Sequence, residues 1–211
     1  MKRLILFVVV SLLFASSLFG QNGKLAIMIR LFSIDSTIEY DPSYVKIKYP
    51  LGDIDPKKGV CTDAVIRTYR WYGIDLQEKV HEDMESNFDK YPKVWGKKEP
   101  DTNIDHRRVL NLKTFFERKG TVLPITNNPK DYKPGNIVVW ELWAGTYHIG
   151  IVSDVPTTTD YSKINLKHPD FIYLPEYKNT GIFMIFHNIG NGQILEDCLF
   201  NWKIIGHYKF E

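Results

Sequence analysis

The apolar positions of this chain change period partway along it. Leu25, Met28, Ile29 and Phe32 stand at i, i+3, i+4 and i+7, and from Cys61 onward apolar or small residues recur at 61, 64, 65, 68, 69 and 72. Each set is one face of a helix, and Gly73 stands where a left-handed C-cap would close the second. The spacing predicts another helix from Leu76 to about Tyr91. A further one runs from about Arg107 to Lys119, striped by Val109, Leu112, Phe115 and Phe116 and closed by Gly120. Beyond that glycine the period drops to two. "YKPGNIVVWELW", "YHIGIVSD", "IFMIFHNIG" and "WKIIGHYKF" are short, β-branched and aromatic runs set apart by Gly, Pro and Asn, which predicts strands. Helices first and strands afterwards argue for an α+β fold with an antiparallel sheet.

Three stretches fall outside this pattern. Lys2 and Arg3 precede an apolar run from Leu4 to Phe14, and Ala15, Ser16, Ser17 and Gly20 follow it. Residues 1–20 therefore read as a secretory signal peptide, too short to span a membrane, and 21–211 as one exported domain, periplasmic or extracellular. "EYDPSYVKIKYPLGDIDPKKG", before Cys61, reads mostly as loop. The segment from Val155 to Gly181, between the second and third strands, is far longer than a hairpin turn; its Tyr161, Phe171, Tyr173 and Tyr177 could wall a cleft.

Composition narrows the partners. The 211 residues are 44% apolar and 25% charged, with 27 Lys and Arg against 25 Asp and Glu. Loss of Lys2 and Arg3 leaves 27 − 2 = 25 basic residues, so the mature chain is close to neutral. Basic runs are no longer than pairs such as Lys57-Lys58 and Arg107-Arg108, so no nucleic-acid partner is expected.

The chemistry gathers around few residues. A cysteine at a helix start meets the positive end of the macrodipole and unpaired N–H groups, which lower a thiol's pKa, and Cys61 has that position. In "YHIGIVSD", alternation sets His148 and Gly150 on one face; the glycine would clear room for the helix start to approach, with His148 as general base. A base needs an orienting partner. In "IFMIFHNIG" that is His187 or, with the register shifted by one, Asn188. "NIDHRRVL" places Asp105 to cap a helix whose first turn holds His106, Arg107 and Arg108. Cationic charge there opposes the dipole and asks for an anion, either a substrate carboxylate or an internal Asp101 or Glu82. Asp63 is a further candidate contact. No metal or cofactor is expected. His148, His187 and His207 all fall on predicted strands, yet there is no H-E-x-x-H and no Cys or His pair at finger-like spacing. Cys61 and Cys198 could form a disulfide in an oxidising compartment, although a domain of this size needs no staple and the bridge would consume the thiol.

"GVCTDAVIRTYRWYGI", "YKPGNIVVWELWAGTYHIGIVSD" and "IFHNIGNG" together resemble the NlpC-type branch of the papain-like cysteine peptidase superfamily. With "VHEDM", "PDTNIDHRR", "NLKTFFERKG" and "WKIIGHYKF", the chain is similar to an uncharacterised family of secreted bacterial proteins assigned to that superfamily. The resemblance implies a helix-start Cys packed on the sheet, with Cys61 as nucleophile, His148 as base, His187 as orienting residue and peptidoglycan-derived peptides as substrate. Departures are Val60 and Thr62-Asp63 around the cysteine, where Asp-Cys-Ser-Gly is common, and Asn136 in "KPGN" where Asp is usual. The activity expected is hydrolysis of an amide bond in a stem peptide. Alternatives are a non-catalytic protein that binds wall fragments and a thioester-forming acyltransferase.

Overall fold

The structure is a computed structural model that describes residues 21–143, 145–157 and 183–211. Residues 1–20, read as a signal peptide, and the insert aromatics lie outside them. Among the described residues the helices are α1 (Gln21–Met28), α2 (Cys61–Trp71), α3 (Leu76–Asn87) and α4 (Val109–Lys119). The strands β1 (Glu39–Tyr40) and β2 (Lys58–Gly59) form a small parallel pair inside the stretch expected to be loop. Then come β3 (Thr121–Val122), β4 (Ile137–Glu141), β5 (Tyr147–Pro156), β6 (Phe183–His187), β7 (Ile194–Glu196) and β8 (Lys203–Lys209). These six form one antiparallel sheet in the order β3-β8-β4-β5-β6-β7, as the α+β reading expects. None of the described helices is long and apolar enough to cross a membrane.

Local chemistry explains where the helices stop. Gly73 takes φ +92, letting its N–H reach Arg70 O at 3.0 Å while Ile74 N–H reaches Tyr69 O at 2.9 Å. This double bond closes α2 as its sequence predicts. α3 starts where the Asp75 side chain accepts from Gln77 N–H at 3.2 Å, and ends before Tyr91 because Phe88–Lys90 tightens into a 3-10 turn. α1 runs into one wide π turn over Ile29–Ser33. The extra residue slips the apolar period, so Leu25 and Ile29 are buried while Phe32 turns out and stacks on Trp71.

α4 differs most from expectation. Asp105–Arg107 is a separate 3-10 turn and Arg108 is extended, so the α-helix begins only at Val109. Asp105 does not cap it. Its carboxylate accepts the Asp101 N–H and closes the loop before the helix.

The sheet is buried on both faces because alternation along every long strand is apolar on both sides. Ile137, Val139, Ile149, Ile151, Phe186 and Tyr208 pack under the helices with Ala64, Val65, Tyr69, Leu112 and Phe116. Val138, Trp140, Val152 and Ile185 face the other way, covered by Tyr132, Cys198 and Leu199. His148 pairs with Trp140 across β4 and β5, which assigns it to this second face. The helix carrying Cys61 packs on the first.

Candidate active site

The start of α2 is fastened before the thiol is placed. Val60 is extended and Asp63, at the third helical position, accepts its N–H at 2.7 Å. The same carboxylate takes a bidentate fork from Arg107, Nε to Oδ1 at 2.9 Å and Nη2 to Oδ2 at 3.1 Å. Arg107 also donates to Ser43 O and Asp41 O, while Thr62 Oγ1 donates to Arg107 O. Only 2% and 3% of the Arg107 and Asp63 side chains are exposed. The anion that Arg107 asks for is therefore Asp63, not Asp101, Glu82 or a substrate carboxylate. Asp63, Asp105, His106 and Arg107 are all buried, so they build the support of the helix start rather than a ligand surface. Burial first, then the charges of Arg70 and Arg107, pull His106 down to about 3 and keep it neutral. Arg108 is partly buried, with its guanidinium 4.3 Å from the centre of the Trp95 ring and 3.5 Å from Asp105.

Cys61 is 4% exposed. The backbone at Ile149, Thr62 and Cys61 itself favours the thiolate, as a helix start should provide. Burial nevertheless outweighs it and, with the nearby charge of Asp63, pushes the thiol up to about 12. The lowered pKa expected from the helix position is overturned by desolvation. Cys61 and Cys198 are both free thiols, and they belong to the cores on the two different sides of the sheet.

On the second face lies a chain of hydrogen bonds. His148 Nε2 meets His187 Nδ1 at 2.8 Å, and His187 Nε2 meets Glu196 Oε2 at 3.0 Å. A carboxylate can only accept, so in the neutral ring His187 carries its proton on Nε2 and accepts through Nδ1. His148 then donates from Nε2, which leaves a lone pair on Nδ1. Burial above all holds His148 well below its ordinary value; the bond from His187 lowers Glu196. Trp140 and Trp202 enclose the His148 ring, each centroid 5.8 Å away.

Gly150 serves this pair, not the helix approach that alternation suggested. A Cβ there would lie 2.7 Å from Ile185 Cγ2, 2.9 Å from Phe186 O and 3.3 Å from His187 Cβ, all on β6. The missing side chain lets β6 close in and His187 lean across to His148. Gly150→Ala is expected to cost about 1–3 kcal/mol as an overpacked core position, lowering Tm by roughly 2–12 °C. An unchanged melting curve would contradict that packing.

His187, rather than Asn188, is the partner of His148. Asn188 instead donates to Gly59 O at 3.2 Å and accepts from Gly190 N–H at 3.0 Å, tying the end of β6 to the residues before α2. Among the described residues, no hydrogen bond joins Cys61 to His148. They are linked only through the backbone: the β5–β6 ladder is paired from Ile151 outward, and Ile149, beyond its end, acts on the sulfur in favour of the thiolate. His207 stands apart, bonded to Pro124 O and Asn136 Oδ1.

Sequence reasoning missed Glu196 and Cys198, whose sulfur lies 3.8 Å from His187 Nε2. A signal existed. Gly190, Asn191 and Gly192 form a hairpin-like break, and a strand returning through "QILE" sets Glu196 diagonally beside His187.

Fold and site together define an α+β protein with a buried helix-start thiol on one face of its sheet and a hydrogen-bonded His148–His187–Glu196 series on the other. The chain belongs to the family described as "Domain of unknown function (DUF1287)", which matches residues 31–171 and 162–210. It is similar to "Uncharacterized protein YijF" of Escherichia coli (strain K12), with 45% identity over 177 residues, covering 84% of this chain and 76% of that protein. No solved structure gives a significant match.

Proposed function

We propose that this chain is an exported cysteine hydrolase of the NlpC-like, papain-like kind, cleaving an amide bond in peptidoglycan stem peptides. What supports the reading above all is one arrangement: Glu196, His187 and His148 are hydrogen-bonded in series, while the backbone of Ile149, the residue after His148, acts on the Cys61 sulfur in favour of the thiolate. The resting site holds a neutral thiol and a neutral imidazole on opposite faces of the sheet. The reaction requires the two to meet as substrate binds, since the contacts of a reacting complex form in full only there. His148 Nδ1 then takes the thiol proton as sulfur attacks the amide carbon. The resulting imidazolium is held by His187 and Glu196, and the oxyanion by N–H groups at the start of α2. Proton return to the amine leaves a thioester, which water hydrolyses with His148 again as base.

The test is incubation of the secreted protein, whose intact mass should start near Gln21, with purified muropeptides. Cleavage adds one water and one new amino group, both read by mass spectrometry and amine labelling. Muropeptide binding without cleavage would favour the non-catalytic reading, for which the burial of Cys61 is the supporting observation. Fragments joined to a new amine instead of water would favour acyl transfer.

A further inference from the structure

We infer that His187, Glu196 and Cys198 form a binding site for a zinc-class divalent cation, and that the bound ion switches the relay off. Their ligand atoms lie within 4.8 Å of one another. The two separations that His187 Nε2 makes, 3.0 Å to Glu196 Oε2 and 3.8 Å to Cys198 Sγ, bracket the edges of a small tetrahedron. Zinc bonded to nitrogen, oxygen and sulfur at its usual lengths needs edges of roughly 3.3–3.6 Å; the third edge, Glu196 to Cys198, lies within 4.8 Å and closes by rotation of the partly exposed Glu196 carboxylate.

The donor set selects the ion. Imidazole and thiolate suit zinc and its borderline-soft relatives, whereas magnesium and calcium prefer all-oxygen shells. Charge balances too, since one thiolate and one carboxylate offset the +2 ion in a place where His187 and Cys198 are buried. The Glu196 side chain is 43% exposed and supplies a path from solvent. His148 occupies the outer position that metal-bound histidines usually fill, holding the second ring nitrogen of His187.

The regulatory part rests on the proposed hydrolase, and its logic is tautomeric. Metal on His187 Nε2 displaces that proton, so His187 becomes a donor through Nδ1. His148 must then accept at Nε2 and carry its own proton on Nδ1, the atom that has to receive the Cys61 proton. The Cys198 thiol proton goes to solvent, and each histidine keeps one proton. Nothing is oxidised, and the base is lost.

Cobalt titration of the chelator-treated mature chain tests the site without reference to activity. A one-to-one sulfur-to-cobalt charge-transfer band should appear, be displaced by Zn2+, persist in Cys61→Ser and vanish in Cys198→Ser. Glu196→Gln, changed on the solvent side, should weaken cobalt binding at least tenfold and covers the case in which the buried serine disturbs folding. His148→Ala should weaken it about 10–100-fold. Absence of the band, or its loss in Cys61→Ser and survival in Cys198→Ser, overturns the site. If muropeptides are never cleaved, the hydrolase fails and the titration still decides the metal. If they are cleaved and stoichiometric Zn2+ leaves the rate unchanged, the switch fails.

Discussion

Cys61→Ala is expected to abolish muropeptide cleavage while the protein remains folded. The substitution removes one buried sulfur from the first turn of α2, a change worth about 1 kcal/mol in stability. The helix start itself is held by Asp63 and Arg107, which the substitution leaves in place. His148→Ala should cost nearly as much activity, because the mechanism takes the thiol proton at His148 Nδ1. His187→Ala should cost less, since it refines a ring position that Trp140 and Trp202 already confine. Reaction with iodoacetamide should be slow at pH 6 and speed up as pH rises, because burial keeps Cys61 as thiol with a pKa of about 12. Cleavage at the wild-type rate by Cys61→Ala would end the covalent mechanism.

Arg107→Ala should be the most destabilising change outside the relay. It strands the Asp63 carboxylate in a dry site and takes donors from Ser43 O and Asp41 O. Breaking one half of a buried pair costs about 3–5 kcal/mol. With a urea m-value of about 2 kcal/mol/M, that lowers the midpoint by about 2 M. Asp63→Ala should do comparable harm, and Asp63→Leu combined with Arg107→Met should recover part of it, because a matched apolar pair leaves no unpaired charge. A loss below about 1 kcal/mol in either single variant would contradict the pair's role.

The same pair shows where sequence reading stopped. The cationic cluster at 106–108 announces a buried anion, but Asp63 is 44 positions from Arg107, and only folding sets the two side by side. Short-range chemistry was legible: the Cys61 helix with its Gly73 cap, the four long strands, and the facing of His148 with Gly150. Competition among long-range effects was not. The thiol's pKa depended on whether the backbone around it or the surrounding core prevailed, and burial prevailed. The role of Gly150 depended on which neighbour stood opposite it, and that neighbour was β6.

By itself, then, the sequence determined the elements, their α+β class and the residue types capable of thiol chemistry, because helix caps and apolar periods are properties of neighbours along the chain. Tertiary structure decided the partners. Antiparallel pairing brought Glu196 and Cys198 to His187, and packing of α2 on the sheet set Cys61 against Ile149. Packing between the two cores fixed which face each imidazole would occupy. These are contacts between positions far apart in the chain, where periodicity carries no information and only the closing of the sheet selects the geometry.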